Sequence, residues 1–187
     1  MLRYRRFWHS WLSVSVVLAS LTIPLNASAR PANVFLSQLD RIQQNIPSGL
    51  IMRLPSDIKL IGASDIDESQ LNVYLTPSKS PLRYTVSLFT CERSIYPCLL
   101  GSFSVEDATS ANARLELQRH QKTGDRVTLS PYAQGYLIEG LTQSPYSPFS
   151  TLVWQQGDMI YSISYPANER PSLISMGISM ANNRPMY

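Results

Sequence analysis

The sequence predicts an α+β fold: a mainly antiparallel sheet with about three helices packed on it and one disulfide-closed hairpin. Strand-like runs follow one another across short turns, and segments with helical periodicity lie before, between and after these runs. The two cysteines, Cys91 and Cys98, lie at the facing ends of two strand-like runs. We expect the helices to cover one face of the sheet, as in other α+β domains.

The first predicted helix spans residues 34–46 and begins after Asn33, a favourable N-cap. Its apolar residues recur at helical spacing, and the Pro-Ser-Gly sequence at residues 47–49 ends it. These apolar residues are Phe35, Leu39, Ile42 and Ile46. Turn-forming residues separate the next three predicted strands, which span residues 50–54, 57–61 and 71–76.

Cys91 and Cys98 are predicted to form a structural disulfide. The runs before and after them, residues 83–90 and 99–105, alternate like the two strands of a hairpin. Antiparallel neighbours lie about 4.5 to 5.5 Å apart at Cα, which is within disulfide range. The alternative is a metal or redox pair, but the spacing is not Cys-x-x-Cys and no histidine lies nearby to complete a zinc site.

The second half of the chain predicts a helix, further strands and a final helix. The first of these helices is expected at residues 107–121, which contain neither Gly nor Pro. A third helix at residues 171–181 would be capped by Asn168. The strands between the two helices are expected at residues 126–130, 135–140 and 150–165, the last being a hairpin.

Two pairs of large side chains are candidates for the core. Trp154 and Tyr161 lie close together across a hairpin that turns near Gly157, so we expect them to be core anchors. Met176 and Met180 of the last helix are expected to fill the core, the alternative being that they line a lipid cavity.

The composition argues for one domain and against a nucleic-acid partner. Of 187 residues, 44% are hydrophobic and 16% charged, which suits one globular domain. The formal charge of +3 comes from Arg3, Arg5 and Arg6, since residues 30–187 hold 13 basic and 13 acidic side chains. Nucleic acid requires a concentrated basic face, so we expect no such partner.

Residues 1–29 have the pattern of a secretory signal peptide. Basic residues precede a 14-residue apolar stretch, and Ala27-Ser28-Ala29 forms the cleavage site. Cleavage after Ala29 would leave residues 30–187 as a single exported α+β domain, in the periplasm, outside the cell or in a thylakoid lumen. An uncleaved anchor is the alternative, but crossing a bilayer takes roughly 20 apolar residues. We therefore expect no stable membrane anchor after cleavage.

The residues after the signal peptide offer little catalytic chemistry. Their one histidine, His120, is expected to be a solvated residue at a helix end, which argues against a histidine triad or a multi-histidine metal site. No nucleophile elbow, phosphate loop or dinucleotide fingerprint occurs. We predict that the protein is not an enzyme and holds no cofactor and no metal.

Two sequence patterns bear on this prediction. Ser56-x-x-Lys59 and Lys122-Thr123-Gly124 match two motifs of penicillin-binding enzymes, but the first lies in a strand-like run, where Ser56 and Lys59 would point to opposite faces. The acidic residues 65, 67 and 68 lack the order of a calcium loop, so a solvated turn is expected there.

Tyr146 and Phe149 lie on a proline-rich loop, residues 143–149, that is a candidate partner-binding site. Aromatic side chains on a loop stiffened by proline can contact a partner at low entropic cost. The alternative is that both rings fold back over the sheet edge as a lid.

The C-terminus resembles that of short exported bacterial proteins. Trp154, Gly157 and Tyr161 form a W-x-x-G-x-x-x-Y hairpin that leads into a helix ending in Met180-Ala181. Uncharacterised exported proteins of cyanobacteria end in a similar way, as do periplasmic domains similar to sigma-factor regulators and lipoprotein carriers. The resemblance implies a non-enzymatic sheet-and-helix domain that binds a hydrophobic chain or another protein.

The sequence as a whole predicts an exported binding or accessory protein whose partner is a protein or a hydrophobic small molecule. One alternative is a carrier that covers an acyl chain with helices on a concave sheet face. The other is a small hydrolase that uses Ser and Lys. An enclosed apolar cavity would favour the carrier, and a Ser–Lys hydrogen bond in a cleft would favour the hydrolase.

Overall fold

The computed structural model describes residues 30–59, 67–91 and 98–187. The predicted signal peptide, residues 1–29, therefore lies outside the described residues. The helices are α1 (Asn33–Leu36), α2 (Leu39–Gln44), α3 (Ala111–Thr123) and α4 (Arg170–Asn182). The strands are β1 (Asn72–Lys79), β2 (Leu82–Phe89), β3 (Leu99–Asp107), β4 (Asp125–Ser130), β5 (Ala133–Ile138), β6 (Phe149–Gln156) and β7 (Met159–Pro166). Short 3₁₀ turns span Glu68–Gln70 and Gly140–Thr142.

The seven strands form one antiparallel sheet in the order β1-β2-β3-β7-β6-β5-β4. Two meanders build it, β1 to β3 and β4 to β7, and they join where β3 pairs with β7. The helix α3 connects the two meanders by crossing from β3, in the middle of the sheet, to β4 at its edge. The predicted α+β class and the mainly antiparallel sheet are confirmed.

The helices cover both faces of the sheet, so the expectation that they share one face is wrong. On the face that we call the core face, Phe35 of α1, Ile42 of α2 and Met176 of α4 join the main cluster of buried side chains. On the opposite face, which we call the groove face, α3 packs Ala113 and Leu117 in a second, smaller cluster. Apolar residues of α3 are sparse, and this short stripe covers only part of the sheet.

The predicted first helix is broken at Ser37 and Gln38. Asn33 is the first residue of α1 rather than its cap, and neither short helix has a side-chain hydrogen bond at its N-cap. Isolated helices of this length are marginal, so packing rather than capping holds the two pieces. Phe35 and Ile42 are fully buried, as the predicted apolar stripe requires.

Residues 50–59 are not two strands, as the alternation suggests, but an extended segment lying on the core face. Only Met52 makes a ladder contact, an isolated bridge to Met186 near the C-terminus. The segment is held by side chains instead: Tyr161 Oη donates to the Ile51 carbonyl at 2.8 Å, and Tyr165 Oη donates to the Lys59 carbonyl at 2.7 Å. Its apolar residues are buried against the core, which explains why their alternation resembles a strand. The remainder of the predicted 57–61 strand lies outside the described residues.

The predicted hairpin and its disulfide are confirmed. Strands β2 and β3 pair antiparallel, and Cys91 and Cys98 are bonded with their Cα atoms 6.0 Å apart. The Thr90 N–H donates to the Cys98 carbonyl at 3.0 Å, which extends the pairing to the disulfide. Residues 92–97, the interior of the loop, lie outside the described residues.

Helix α3 starts later than predicted, and α4 has a different N-cap from the predicted one. Strand β3 continues to Asp107, whose carboxylate accepts hydrogen bonds from the Thr109 N–H and hydroxyl at 2.7 and 2.6 Å. The chain turns there, and Ser110 caps α3 by accepting from the Ala113 N–H. At α4, Glu169 rather than Asn168 occupies the N-cap position.

Trp154 and Tyr161 lie directly opposite each other in β6 and β7. Their rings stack with centroids 5.3 Å apart at an interplanar angle of 18°, and both side chains are buried. Met176 and Met180 of α4 are also fully buried on this core face. Burial raises the pKa of Tyr161 above its ordinary value, so its hydroxyl stays protonated and can donate to Ile51.

Candidate functional site

The groove face carries hydroxyl side chains where the core face carries apolar ones. Alternation along β7 turns Tyr161, Ile163 and Tyr165 toward the core, and Ser162 and Ser164 toward the groove face. The same alternation operates in β2, β3 and β6. Together these strands place the following hydroxyl residues on the groove face: Thr85, Ser87, Ser102, Ser104, Thr151, Ser162 and Ser164.

The hydroxyls form two rows across the strands. In the first row Thr85 lies opposite Ser104, which lies opposite Ser162. The hydroxyls of Thr85 and Ser104 are hydrogen-bonded at 2.9 Å. In the second row Thr151 and Ser164 are hydrogen-bonded through their hydroxyls at 3.2 Å. Because a hydroxyl is both donor and acceptor, such rows can meet either kind of polar group.

A groove of about 340 Å³ lies where α3 borders these rows. Asn112, Ala113 and Glu116 of α3 form one wall, and strand residues including Ser104 and Ser162 form the floor. Val153 and Ile160 line the end of the groove that runs beneath the helix. The groove is therefore polar along most of its length and apolar at one end.

Glu106 is a buried carboxylate in this groove, with 8% of the residue exposed. Its Oε1 accepts a short hydrogen bond from the Ser110 hydroxyl. Its Oε2 lies 3.8 Å from Nε of Arg83, the residue directly opposite on β2. At that distance the two side chains form an ion pair but not a hydrogen bond.

His120 is fully buried, so the prediction of a solvated helix-end histidine is wrong. Its Nδ1 lies 3.0 Å from the Tyr136 carbonyl, and its Nε2 lies 3.0 Å from Oε1 of Glu116. His120 lies three residues after Leu117 and seven after Ala113, on the same helical stripe that packs on the sheet. That spacing in the sequence could have revealed its burial.

Burial lowers the pKa of His120, although the Tyr136 carbonyl and the Glu116 carboxylate both oppose this effect. The neutral ring donates from Nδ1 to Tyr136, which leaves the Nε2 lone pair next to Glu116. The contact with Glu116 therefore becomes a hydrogen bond only when the pair gains a proton. Arg119, which also faces Glu116, further disfavours the charged ring.

A pH series should detect this buried histidine. The unfolded chain binds a proton at His120 near the ordinary pKa of 6.5, whereas the folded chain binds it only at lower pH. Stability should therefore fall as the pH drops from about 7.5 to about 5.5, and it should fall less in His120→Gln. Urea unfolding of both proteins at the two pH values measures this. An equal loss of stability in the two proteins would contradict this expectation. Glu116→Gln should enlarge the loss, because Glu116 opposes the lowering of the His120 pKa.

The residues of the predicted partner-binding loop lie outside the groove. Tyr146 is 63% exposed and Phe149 is half-buried at the first position of β6. Leu141, on the same connection between β5 and β6, is also exposed. Whether this surface binds a partner stays a prediction.

The two penicillin-binding motifs do not assemble a site. The Ser56 amide donates to the Ser179 hydroxyl at 2.8 Å, and the hydroxyls of the two residues are hydrogen-bonded at 2.8 Å. The Lys59 carbonyl accepts from Tyr165, and residues 122–124 lie at the end of α3. The segment holding Ser56 and Lys59 is not a strand, so the expectation that their side chains point to opposite faces of a strand is wrong.

Within the described ranges, no group of three or more His, Cys, Asp or Glu side chains is arranged to hold a metal ion. Of the acidic stretch, residues 65 and 66 lie outside these ranges, and Asp67 caps a 3₁₀ turn by accepting from the Ser69 N–H. In the same part of the chain, no helix is long and apolar enough to span a membrane.

The sequence of any single strand does not reveal the groove residues, because their pattern extends across neighbouring strands. The alternation of serine with large apolar residues in β7 was visible, but its counterparts in β2 and β3 become significant only when the three strands are neighbours.

No family model, curated protein or solved structure matches this chain.

Proposed function

We propose that the chain is an exported, non-enzymatic binding protein that holds a polar ligand in the groove beside α3. The observation that carries this proposal is the pair of hydroxyl rows beside a buried carboxylate, Glu106, on a part of the sheet that α3 leaves uncovered. Ordinary solvated sheet faces are polar as well. Here, however, Ser104 and Glu106 are buried, so their polar groups are withdrawn from bulk water and favour a bound partner.

A binding role fits the groove better than hydrolysis. The hydroxyls of the groove pair with one another, as Thr85 does with Ser104. The imidazole of His120 contacts Glu116 and the Tyr136 carbonyl rather than a serine. Nucleophilic catalysis requires a base beside the nucleophile. The described hydroxyl that contacts the groove carboxylate Glu106 belongs to Ser110, which is held as the N-cap of α3 by the Ala113 amide.

The polar lining also favours a polar ligand over an acyl chain. On the core face, Met176 and Met180 fill the space under α4 instead of lining a cavity. An apolar patch does exist on the outer side of α4, formed by Pro171, Ile174 and Ile178, but it is an open surface. Carriers enclose most of the ligand surface, which such a patch cannot do.

Export is part of the proposal and is supported by the disulfide. Disulfides persist in oxidising compartments such as the periplasm and are rare in the cytosol. Cys91 and Cys98 are the chain's two cysteines, and both are used in this bond.

Thermal unfolding of residues 30–187 with a set of ligands tests the function. The set contains maltose, the disaccharide of glucosamine, its N-acetylated form, trialanine and palmitate. A ligand at a hundred times its Kd stabilises by about 2.7 kcal/mol, which raises the melting temperature by several degrees. We expect this rise with at least one of the saccharides.

A groove-filling variant and a matched control locate the effect. Ser162→Leu places an apolar side chain on the groove floor and should abolish the rise, whereas Thr128→Leu, at an exposed position of β4 outside the groove lining, should retain it. A rise with palmitate alone would favour the acyl carrier. A rise with trialanine alone that survives in Ser162→Leu would place binding elsewhere. No rise with any compound would contradict the proposal.

A further inference from the structure

We infer that the ligand of this groove carries a protonated amine, which Glu106 binds, alongside hydroxyl groups that the serine rows bind. The inference rests on the proposed function, because it names the class of compound that the groove takes. An amino sugar is a class of compound that has both kinds of group.

The first step of the argument is the unfilled bonding capacity of Glu106. An ionised carboxylate offers about four lone-pair positions to donors. In the described structure, Oε1 accepts from Ser110, and Oε2 has only the 3.8 Å contact with Arg83. A buried charge is costly unless it is paired and hydrogen-bonded, so a donor that reaches Oε2 from the groove is strongly favoured.

The second step is the charge of the groove. Two carboxylates line it, Glu106 on the floor and Glu116 on the α3 wall, and Arg83 is the one cation among its described lining residues. The Arg83 side chain is about half exposed, at 47%, whereas the Glu106 side chain is 10% exposed. The deeper charge is therefore negative, which favours a cationic group over a neutral one and opposes phosphate or carboxylate.

The third step is the hydroxyl rows next to Glu106. Ser104 lies two residues before Glu106 on the same strand and face, and Ser162 lies opposite Ser104 on β7. A compound whose amine contacts Glu106 thus has hydroxyl partners along the groove.

Calorimetric titration with a matched pair of ligands tests the inference. The disaccharide of glucosamine, at a pH that protonates its amines, should bind at least tenfold more tightly than its N-acetylated form, which lacks the charge. In Glu106→Gln, which keeps the shape of the side chain, the two compounds should bind equally weakly. Raising the salt concentration should weaken only the amine, because salt screens charge pairing.

A second variant changes affinity in the opposite direction, so a folding defect cannot imitate it. Arg83→Gln removes the competing cation from Glu106 and should tighten binding of the amine several-fold. Equal binding of both disaccharides in the groove would overturn the inference and leave the proposed function standing. Failure of both to bind, together with no rise in melting temperature for any saccharide, would overturn both. Unchanged affinity in Arg83→Gln would also contradict the role of Glu106.

Discussion

Trp154→Ala is expected to lower the free energy of unfolding by about 3 to 5 kcal/mol, as for other large buried aromatics. Trp154 is fully buried, and its ring stacks on Tyr161 at 5.3 Å. Tyr161 in turn donates to the Ile51 carbonyl, so loss of the stack also loosens the extended segment that covers the core face. The cavity left by the indole is enclosed by rigid strands, which limits its collapse.

Urea unfolding measures this loss, and two other variants calibrate it. Tyr132→Ala removes an aromatic ring that is 94% exposed and should change stability by less than about 0.5 kcal/mol. Trp154→Phe should cost less than Trp154→Ala, because Phe keeps an aromatic ring in the buried space and leaves a smaller cavity. Neither variant loses a hydrogen bond of the indole Nε1, which has no partner among the described residues. A loss below about 1 kcal/mol in Trp154→Ala would contradict the role of this ring as a core anchor.

Gly140→Ala is expected to have the second largest effect, a loss of about 1 to 3 kcal/mol from overpacking. A Cβ at Gly140 would overlap the carbonyl oxygens of Ser147 and Phe149 and lie 2.7 Å from the Phe149 carbonyl carbon. These are backbone atoms, so they cannot rotate away as a side chain would. The Gly140 amide and carbonyl are also hydrogen-bonded, to the Ser150 hydroxyl at 3.0 Å and the Ser147 amide at 3.2 Å.

Gly157 provides the matched control for this second effect. Its φ of +61° disfavours a side chain, but a Cβ there would meet nothing within 4 Å. Gly157→Ala should therefore cost only the backbone strain, about 1 to 2 kcal/mol, and Gly157→Asn less. If Gly140→Ala proved no more destabilising than Gly157→Asn, the close approach at Gly140 would be refuted.

Local patterns were sufficient to predict the strands of both meanders. Alternation in β2, β3, β6 and β7 was clear because one face of each strand is buried, and the two cysteines indicated where the β2–β3 hairpin turns. The extended segment 50–59 misled because apolar residues alternate there too, although tyrosine hydroxyls and not a strand ladder hold it.

The candidate site could not be predicted in the same way. It depends on β3 pairing with β7, which are more than fifty residues apart in the sequence, and on α3 crossing to the second face. Glu106 reads as an ordinary polar residue at a strand end until Arg83 and Ser110 are placed around it. His120 reads as exposed because its neighbours Arg119 and Lys122 are charged, although its helical stripe is apolar.

The most direct measurement for the central claim is an amide NMR titration of residues 30–187 with the disaccharide of glucosamine. A ligand in the groove should shift the amide signals of residues 102–106, 111–116 and 160–164, and the shifts should disappear in Ser162→Leu and persist in Thr128→Leu. Shifts confined to the loop that carries Tyr146, or to the outer side of α4, would contradict the claim that the groove beside α3 is the binding site. So would a spectrum that does not change at millimolar ligand.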